Sequence, residues 1–404
     1  MRYRRISSSR KPGPGGSSDG WVEERRGCTV RFLMFLGVFT FVLAGTGAGE
    51  TNLLKNGDFS QGAAGWSDVH AADATEIAVV EAAGRKALLL RRRQAAAKVQ
   101  TTQFNIRLKP QTLYRLSVTG WGDIPAKVAL RPSSSSDPDF FNLCKSWATS
   151  TAPLETGKSP SVNTFLYDSG LKADSAFVSL YLSGETPGEF HVAAISLLEA
   201  GSSAPSPDET VIVHLGDSIT ITSYLSFQQR VEALLQAKLA GAFPAKKIRN
   251  VNLGVDGEFL GEMLDSGRYD KVIRENYKKI DVAVIRYGAN DRRMYSVDRF
   301  KELLGALCDN LVGDYPGIII VIGTGPYIHG SENANRHQYG PYWQAASEFA
   351  AARNYPLVEI YKRFEAEASE KTAVKKGDAH PSAYGVSVMA DAEFEVLSKL
   401  LRAK

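Results

Sequence analysis

From residue 210 onward, near-continuous runs of Val and Ile alternate with amphipathic stretches, and this alternation constrains the fold more than any other feature. "TVIVHLG" (210–216), "IRNVNLG", "DVAVIRYG", "GIIIVIGTG" and "PLVEIY" read as strands. Apolar runs with so few polar interruptions suit strands buried on both faces. "FQQRVEALLQAKL" (227–239), "VDRFKELLGALCDNL", "YWQAASEFAAARN" and "VSVMADAEFEVLSKLL" read as helices. In the first of these, Val231, Leu234, Leu235 and Leu239 share one side. The alternation predicts an α/β domain with a parallel sheet and helices on both faces. Sites in such a domain form beyond the carboxyl ends of strands. Chemistry-bearing residues are therefore expected just after strands.

The region from about 51 to 198 has a different pattern. Short alternating segments are separated by turn residues, and no long helical period appears. In "LYRLSVTGW", Tyr114, Leu116 and Val118 alternate with Arg115, Ser117 and Thr119. "AFVSLYLSG" repeats the pattern through Val178, Leu180 and Leu182, and "HVAAISLLEA" closes the region. This predicts an antiparallel β-sandwich. The opening "NLLKNGDFSQGAAGW" (52–66) resembles the start of carbohydrate-binding-module-like, galactose-binding-like jelly rolls. That resemblance implies sugar stacking on an aromatic face, with Trp121 and Trp147 as candidate contacts. Trp66 follows the opening motif and is expected to pack inside. "EAGSSAPSPDET" reads as a linker. The expected organisation is a leader over 1–49, a sandwich over 50–198, a linker over 199–209 and an α/β domain over 210–404.

The formal net charge of +4 is unevenly placed. Residues 1–31 hold eight Lys/Arg and three acids, which leaves the rest near neutral and gives no support to nucleic-acid binding. The run Arg91–Arg93 reads as a solvated strand end. "FLMFLGVFTFVLA" (32–44) follows this basic segment and precedes the small residues "GTGAGE". That order is the one found in secretory signal peptides, with cleavage near Ala48. Its apolar core is shorter than the roughly 20 residues that span a bilayer. An uncleaved N-terminal anchor is the alternative, and it is the only expected route to the membrane. The expected location is therefore secreted, periplasmic or cell-surface. Three cysteines (Cys28, Cys144 and Cys308) show no disulfide framework, and no cluster suggests a metal site.

The chemical residues do fall after the strands. Ser218, in "GDSIT", lies at a strand-to-helix turn, where its hydroxyl is exposed and its amide begins a helix. Gly254, in "NLGVDGEF" with Gly257, allows the backbone to approach a ligand closely. Asn290, in "YGAND", can donate to developing negative charge. His380 lies before the last helix in "GDAHPSAYG". Together these four residues, in this order, resemble the SGNH, or GDSL-type, hydrolase superfamily over 208–404. The resemblance implies a flavodoxin-like three-layer α/β/α sandwich behind the all-β jelly-roll sandwich. It also implies Ser218 as nucleophile and His380 as general base. The Ser218 amide, the Gly254 amide and the Asn290 side chain would form the oxyanion hole, and no cofactor is required.

One feature departs from that family. Its members usually place the orienting acid three residues before the histidine. Here position 377 is Gly, and the acid is Asp378, two residues before. On a helix, residues i and i+2 point about 200° apart, whereas in an extended segment they share a side. Pro381 biases His380 towards the extended form. A compact loop with Asp378 beside His380 is the expectation. The alternatives are another orienting group or a Ser–His dyad. Of the remaining histidines, His214 is expected to pack inside its strand. The loop holding Tyr327, His329 and His337 either covers the site or is plain surface. Arg292 and Arg293 are read as a solvated helix start, the alternative being a bias towards acidic substrates.

The function expected is a secreted serine esterase acting on a carbohydrate O-acyl (acetyl) ester, with a small-molecule or polysaccharide substrate. The other readings are a non-catalytic carbohydrate-binding surface protein with a decayed hydrolase domain, and an acyltransferase using the same site.

Overall fold

The computed structural model describes residues 51–70, 73–144, 151–367 and 370–403. The expected leader and Trp147 lie outside the described residues. The N-terminal domain has ten strands: β1 Ser67–His70, β2 Thr75–Ala82, β3 Arg85–Arg92, β4 Val99–Arg107, β5 Thr112–Gly122, β6 Ala126–Ser133, β7 Ala152–Leu154, β8 Gly157–Asp168, β9 Ser175–Leu182 and β10 Gly188–Ser202. They form two five-stranded antiparallel sheets, ordered β1-β4-β9-β6-β7 and β2-β3-β10-β5-β8. The alternation in sequence places one residue in two inside. Tyr114, Leu116 and Val118 of β5 meet Val178 and Leu180 of β9 in a common core.

The same alternation corrects the reading of the arginine run. Arg91 and Arg93 do lie at the surface, paired with Glu76. Arg92, between them, points inward and is buried. Its guanidinium donates to the carbonyls of Ala97 and Leu182 at 2.7 and 3.0 Å. This replaces the water that the charge gives up.

The second domain has five parallel strands: β11 Glu209–Gly216, β12 Lys247–Asn252, β13 Val282–Arg286, β14 Ile319–Gly323 and β15 Leu357–Val358. Their order, β12-β11-β13-β14-β15, is the flavodoxin-like doubly wound order. Its helices are α2 Ser218–Ile221, α3 Val231–Ala242, α4 Leu260–Asp265, α5 Val297–Asp314, α6 Gly340–Arg353, α7 Ile360–Glu367 and α8 Ala383–Ala403, numbered after the short α1 Phe140–Cys144 of the sandwich. Val213 and Leu215 of β11 pack with Phe300 and Leu304 of α5. Ile212, on the opposite face, packs with Val231 of α3 and Met389 of α8. The layers are therefore helix, sheet, helix. "PLVEIY" yields only a two-residue strand, because Ile360 already opens α7.

β10 runs to Ser202, so only 203–208 connect the two domains. The connection does not behave as a free linker. Arg249 of β12 pairs with Asp168 of β8 at 3.4 Å. Asn276 Oδ1 accepts the amides of Leu171 and Lys172 at 2.7 and 3.0 Å, and Lys271 pairs with Asp137 at 2.9 Å. Sandwich and α/β domain form one compact unit.

A buried ionic cluster lies between sheet and α8. Glu393 bonds Arg286 of β13, and its second oxygen lies 3.4 Å from His214 Nδ1. All three side chains are fully buried, as expected for His214. Replacing Glu393 by alanine would strand the Arg286 charge, and about 3–5 kcal/mol of stability should be lost. Urea unfolding of Glu393→Ala checks this, and an unchanged midpoint would contradict it.

Candidate active site

Ser218 and Asn290 follow β11 and β13, adjacent strands at the switch point of the sheet. In this fold a crevice opens at that point. β11 ends at Gly216, and Asp217 caps α2 by accepting the Ile219 amide at 2.9 Å. The cap turns the chain sharply and starts the helix at Ser218. The Ser218 amide has no acceptor among the described residues, so it is free to donate to a ligand.

The Ser218 hydroxyl lies 3.0 Å from His380 Nε2. On the other side of the ring, His380 Nδ1 lies 2.8 Å from Asp378 Oδ1. An ionised carboxylate only accepts, so Nδ1 carries the proton and Nε2 of the neutral ring faces the serine as acceptor. Burial opposes ionisation of Asp378, but its two hydrogen bonds from His380, with the nearby Lys375, outweigh it. They hold the carboxyl below its ordinary value.

The short spacing is bridged by a turn, not by an extended run. Gly377 adopts φ 77°, a left-handed conformation that suits glycine. The Asp378 amide then bonds Lys375 O at 3.1 Å. Asp378 Oδ1 also accepts the His380 amide at 3.0 Å, which closes an Asx turn. One oxygen thus holds both the backbone and the ring of His380. The Val374 amide bonds His380 O at 2.9 Å and closes the loop.

The expected oxyanion donors differ in availability. Asn290 Nδ2 donates one proton to Glu258 O at 3.2 Å, leaving the other for a ligand. The Gly254 amide is already engaged with Asn252 Oδ1 at 3.0 Å. The orientation of Asn252 follows from its other end, where Nδ2 donates to Thr220 O and Glu232 at 2.9 and 2.8 Å. Gly254 is therefore close to the site, but its N–H has an acceptor in this resting state.

Buried carboxyls support the nucleophile turn. Complete burial pushes the Asp217 carboxyl up to about 7, with Asp291 and Glu258 adding to the effect and the Ile219 amide and Arg286 opposing it. Burial also lifts Asp291 to about 6, against the amides of Leu260 and Gly288. Below the ordinary value of 3.8, folded and unfolded chains both hold the Asp217 proton. As pH rises towards 7, only the unfolded chain releases it, so stability falls across that window. Asp217→Asn keeps an oxygen for the Ile219 amide and removes the ionisation. Its Tm relative to the parent should rise more at pH 8 than at pH 4, read by calorimetry. An equal shift at both values would count against the buried-acid account.

Several other residues find definite places. Tyr224, not singled out by sequence, donates to Pro381 O at 2.8 Å, and its ring meets His380 edge to face. Arg292 stacks over the Tyr339 ring at 4.2 Å and donates to its hydroxyl, so it is not a solvated helix start; Arg293 is exposed. His329 Nε2 lies 2.8 Å from Phe364 O, and Tyr327 packs between His329 and Tyr361. His337 is exposed. Trp66 packs against Phe59. Trp121 is 8% exposed, and the His191 ring lies flat on it at 5.1 Å, which leaves a sugar little surface to stack on.

The model of the GDSL-like lipase/acylhydrolase family matches residues 214–388, and that of a carbohydrate-binding domain matches residues 51–166. No curated protein matches the chain. Among solved structures, a lipase/acylhydrolase from Enterococcus faecalis is 22% identical, covering 46% of this chain and 94% of that one with a TM-score of 0.39. An acetylxylan esterase from Geobacillus stearothermophilus is 20% identical over the same shares, also at 0.39. An α/β hydrolase from the metagenome of Lake Arreo, Spain, is 20% identical over 47% and 95%, at 0.40. The C-terminal part of the chain carries a GDSL-like lipase/acylhydrolase domain, a carbohydrate-binding domain lies ahead of it, and the chain is a hydrolase acting on esters.

Proposed function

We propose that this hydrolase is a serine esterase that removes short acyl groups, acetyl above all, from a carbohydrate. The observation that carries the reading is the line Ser218 Oγ, His380 Nε2, His380 Nδ1, Asp378 Oδ1, with steps of 3.0 and 2.8 Å. His380 takes the Ser218 proton as Oγ attacks the ester carbonyl. Asp378 holds the ring in the tautomer that can accept it and stabilises the imidazolium. The tetrahedral oxyanion is held by the Ser218 amide and the free proton of Asn290 Nδ2, charge stabilisation set before the reaction begins. His380 then returns the proton to the departing sugar oxygen. It next activates water, which releases the acid and restores Ser218.

The carbohydrate part of the reading rests on the matched sandwich, which forms one compact unit with the hydrolase domain and would keep a bound glycan near the crevice. The secreted location read from residues 32–49 belongs to this proposal, and N-terminal sequencing of exported protein checks it. The substrate test is acetate release from acetylated polysaccharides by the wild type and by Ser218→Ala. Release at equal rates would overturn the esterase reading. Acetyl groups appearing on an added sugar instead of as free acetate would turn it into an acyltransferase.

Asn290→Ala removes one oxyanion donor. It should lower kcat by about 10²–10³-fold with little change in KM, because the donor acts in the transition state. A rise in KM alone, in steady-state kinetics on an aryl acetate, would instead assign Asn290 to ground-state binding.

A further inference from the structure

The turn over 222–225, directly after the nucleophile's helix, combines three unusual features. The first is strain. Thr222 closes α2 at φ 44° and ψ 43°, a left-handed conformation that is an outlier for a β-branched residue. It is fully buried, so the surrounding structure holds it there.

The second is a buried cation. Arg230 is 3% exposed and forms no ion pair among the described residues. Burial pulls its pKa down, against the pull of Glu232 and Asp256. Its guanidinium donates to backbone carbonyls instead: Leu225 at 3.3 Å, Ser223 at 3.4 Å, and Thr151 of the sandwich. Ser223 and Leu225 flank Tyr224. A desolvated charge thus grips the turn on both sides of one residue and ties it to the other domain.

The third is what Tyr224 touches. Its hydroxyl donates to Pro381 O at 2.8 Å, and its ring lies 5.6 Å from the His380 ring at 89°. Burial raises the phenol pKa, with Asp378, Asp256 and Asp217 adding to it, so the hydroxyl keeps its proton. This contact supplies something Asp378 does not. Asp378 and His380 sit on one loop, so their hydrogen bond orients the ring within the loop but not the loop against Ser218. Tyr224 comes from the nucleophile's side and links the two.

We propose that Tyr224 is a positioning residue for His380, and that the sandwich holds Tyr224 in place through Arg230, which makes the carbohydrate-binding domain part of the catalytic support. The inference rests on the reading of His380 as general base.

The test compares wild type, Ser218→Ala, Tyr224→Phe, Arg230→Lys and the Tyr224→Phe/Arg230→Lys double variant. Each is assayed for hydrolysis of 4-nitrophenyl acetate and for the rate of Ser218 labelling by a fluorophosphonate. Tyr224→Phe keeps the ring and loses only the hydroxyl, so it should fold. Its kcat should fall about tenfold with KM unchanged, and labelling should slow by the same factor. Arg230→Lys should move both rates in the same direction. The double variant should be no slower than the slower single one, because both act through one turn. If wild type and Ser218→Ala hydrolyse equally, the esterase reading falls and takes this inference with it. If wild type is active, Ser218→Ala is not, and Tyr224→Phe matches wild type in both rates, only this inference is overturned. A loss shared by Tyr224→Phe and Arg230→Lys that adds fully in the double variant would remove the link to the sandwich.

Discussion

Ser218→Ala is expected to lower kcat on an aryl acetate by on the order of 10⁶-fold, leaving only what binding and the oxyanion donors supply. The size follows from chemistry that nothing else nearby can replace. The covalent route needs an oxygen nucleophile at the start of α2, with an imidazole in reach to take its proton. Thr222, a hydroxyl only four residues away, is fully buried and cannot substitute. KM should change little, because a methyl group fills less space than the hydroxymethyl and blocks nothing. Stability should also change little, since the Ser218 hydroxyl bonds only His380 among the described residues. A variant that folds normally but retains even a tenth of wild-type kcat would contradict a serine nucleophile.

The second large effect is at the acid. Asp378→Asn is expected to lower kcat on the order of 10⁴-fold. The substitution can keep the shape of the Asx turn, because an asparagine oxygen can still accept the His380 amide. It removes the charge that stabilises the imidazolium. In the parent, Oδ1 holds both the amide and Nδ1 of His380. An asparagine with its oxygen there leaves the imidazolium unneutralised. One with Nδ2 there gives up the turn and favours the tautomer with a proton on Nε2, facing Ser218. The loss should therefore lie in kcat with the fold intact. Asp378→Ala should lose activity and also loosen the loop, lowering Tm. If Asp378→Asn costs less than tenfold, the site works as a Ser–His dyad.

The fold was legible in the sequence because its signals are local. Five apolar runs separated by helical stretches leave few topologies, and two-residue alternation in 51–198 leaves one class. Ser218, Asn290 and His380 were legible because each falls at a punctuated turn after a strand or before a helix. The contacts between them were not, because they span the chain. Ser218 and His380 are 162 residues apart, and no spacing rule links Tyr224 to Pro381.

The neighbourhood of Gly254 shows the same limit. Its glycine is visible, but the acceptor of its amide is a side chain whose orientation is set by Glu232 on α3. The burial of Arg92 and Arg230 is not legible in the sequence, for a common reason. A charge is expected in water, and what keeps these two inside is a set of backbone carbonyls contributed by distant segments. The spacing of Asp378 and His380 was resolved by an Asx turn behind a left-handed glycine. Pro381 suggested an extended route, and the loop took a tighter one.

The most direct test of the account is to trap the acyl-enzyme. Enzyme mixed with an aryl acetate and quenched in acid would be digested and its peptides read by mass spectrometry. The account predicts one acetyl group on Ser218, absent from Ser218→Ala and accumulating far more slowly in Asp378→Asn. Hydrolysis of the ester with no acetyl on the protein, or with acetyl on another residue whose replacement abolishes turnover, would contradict it.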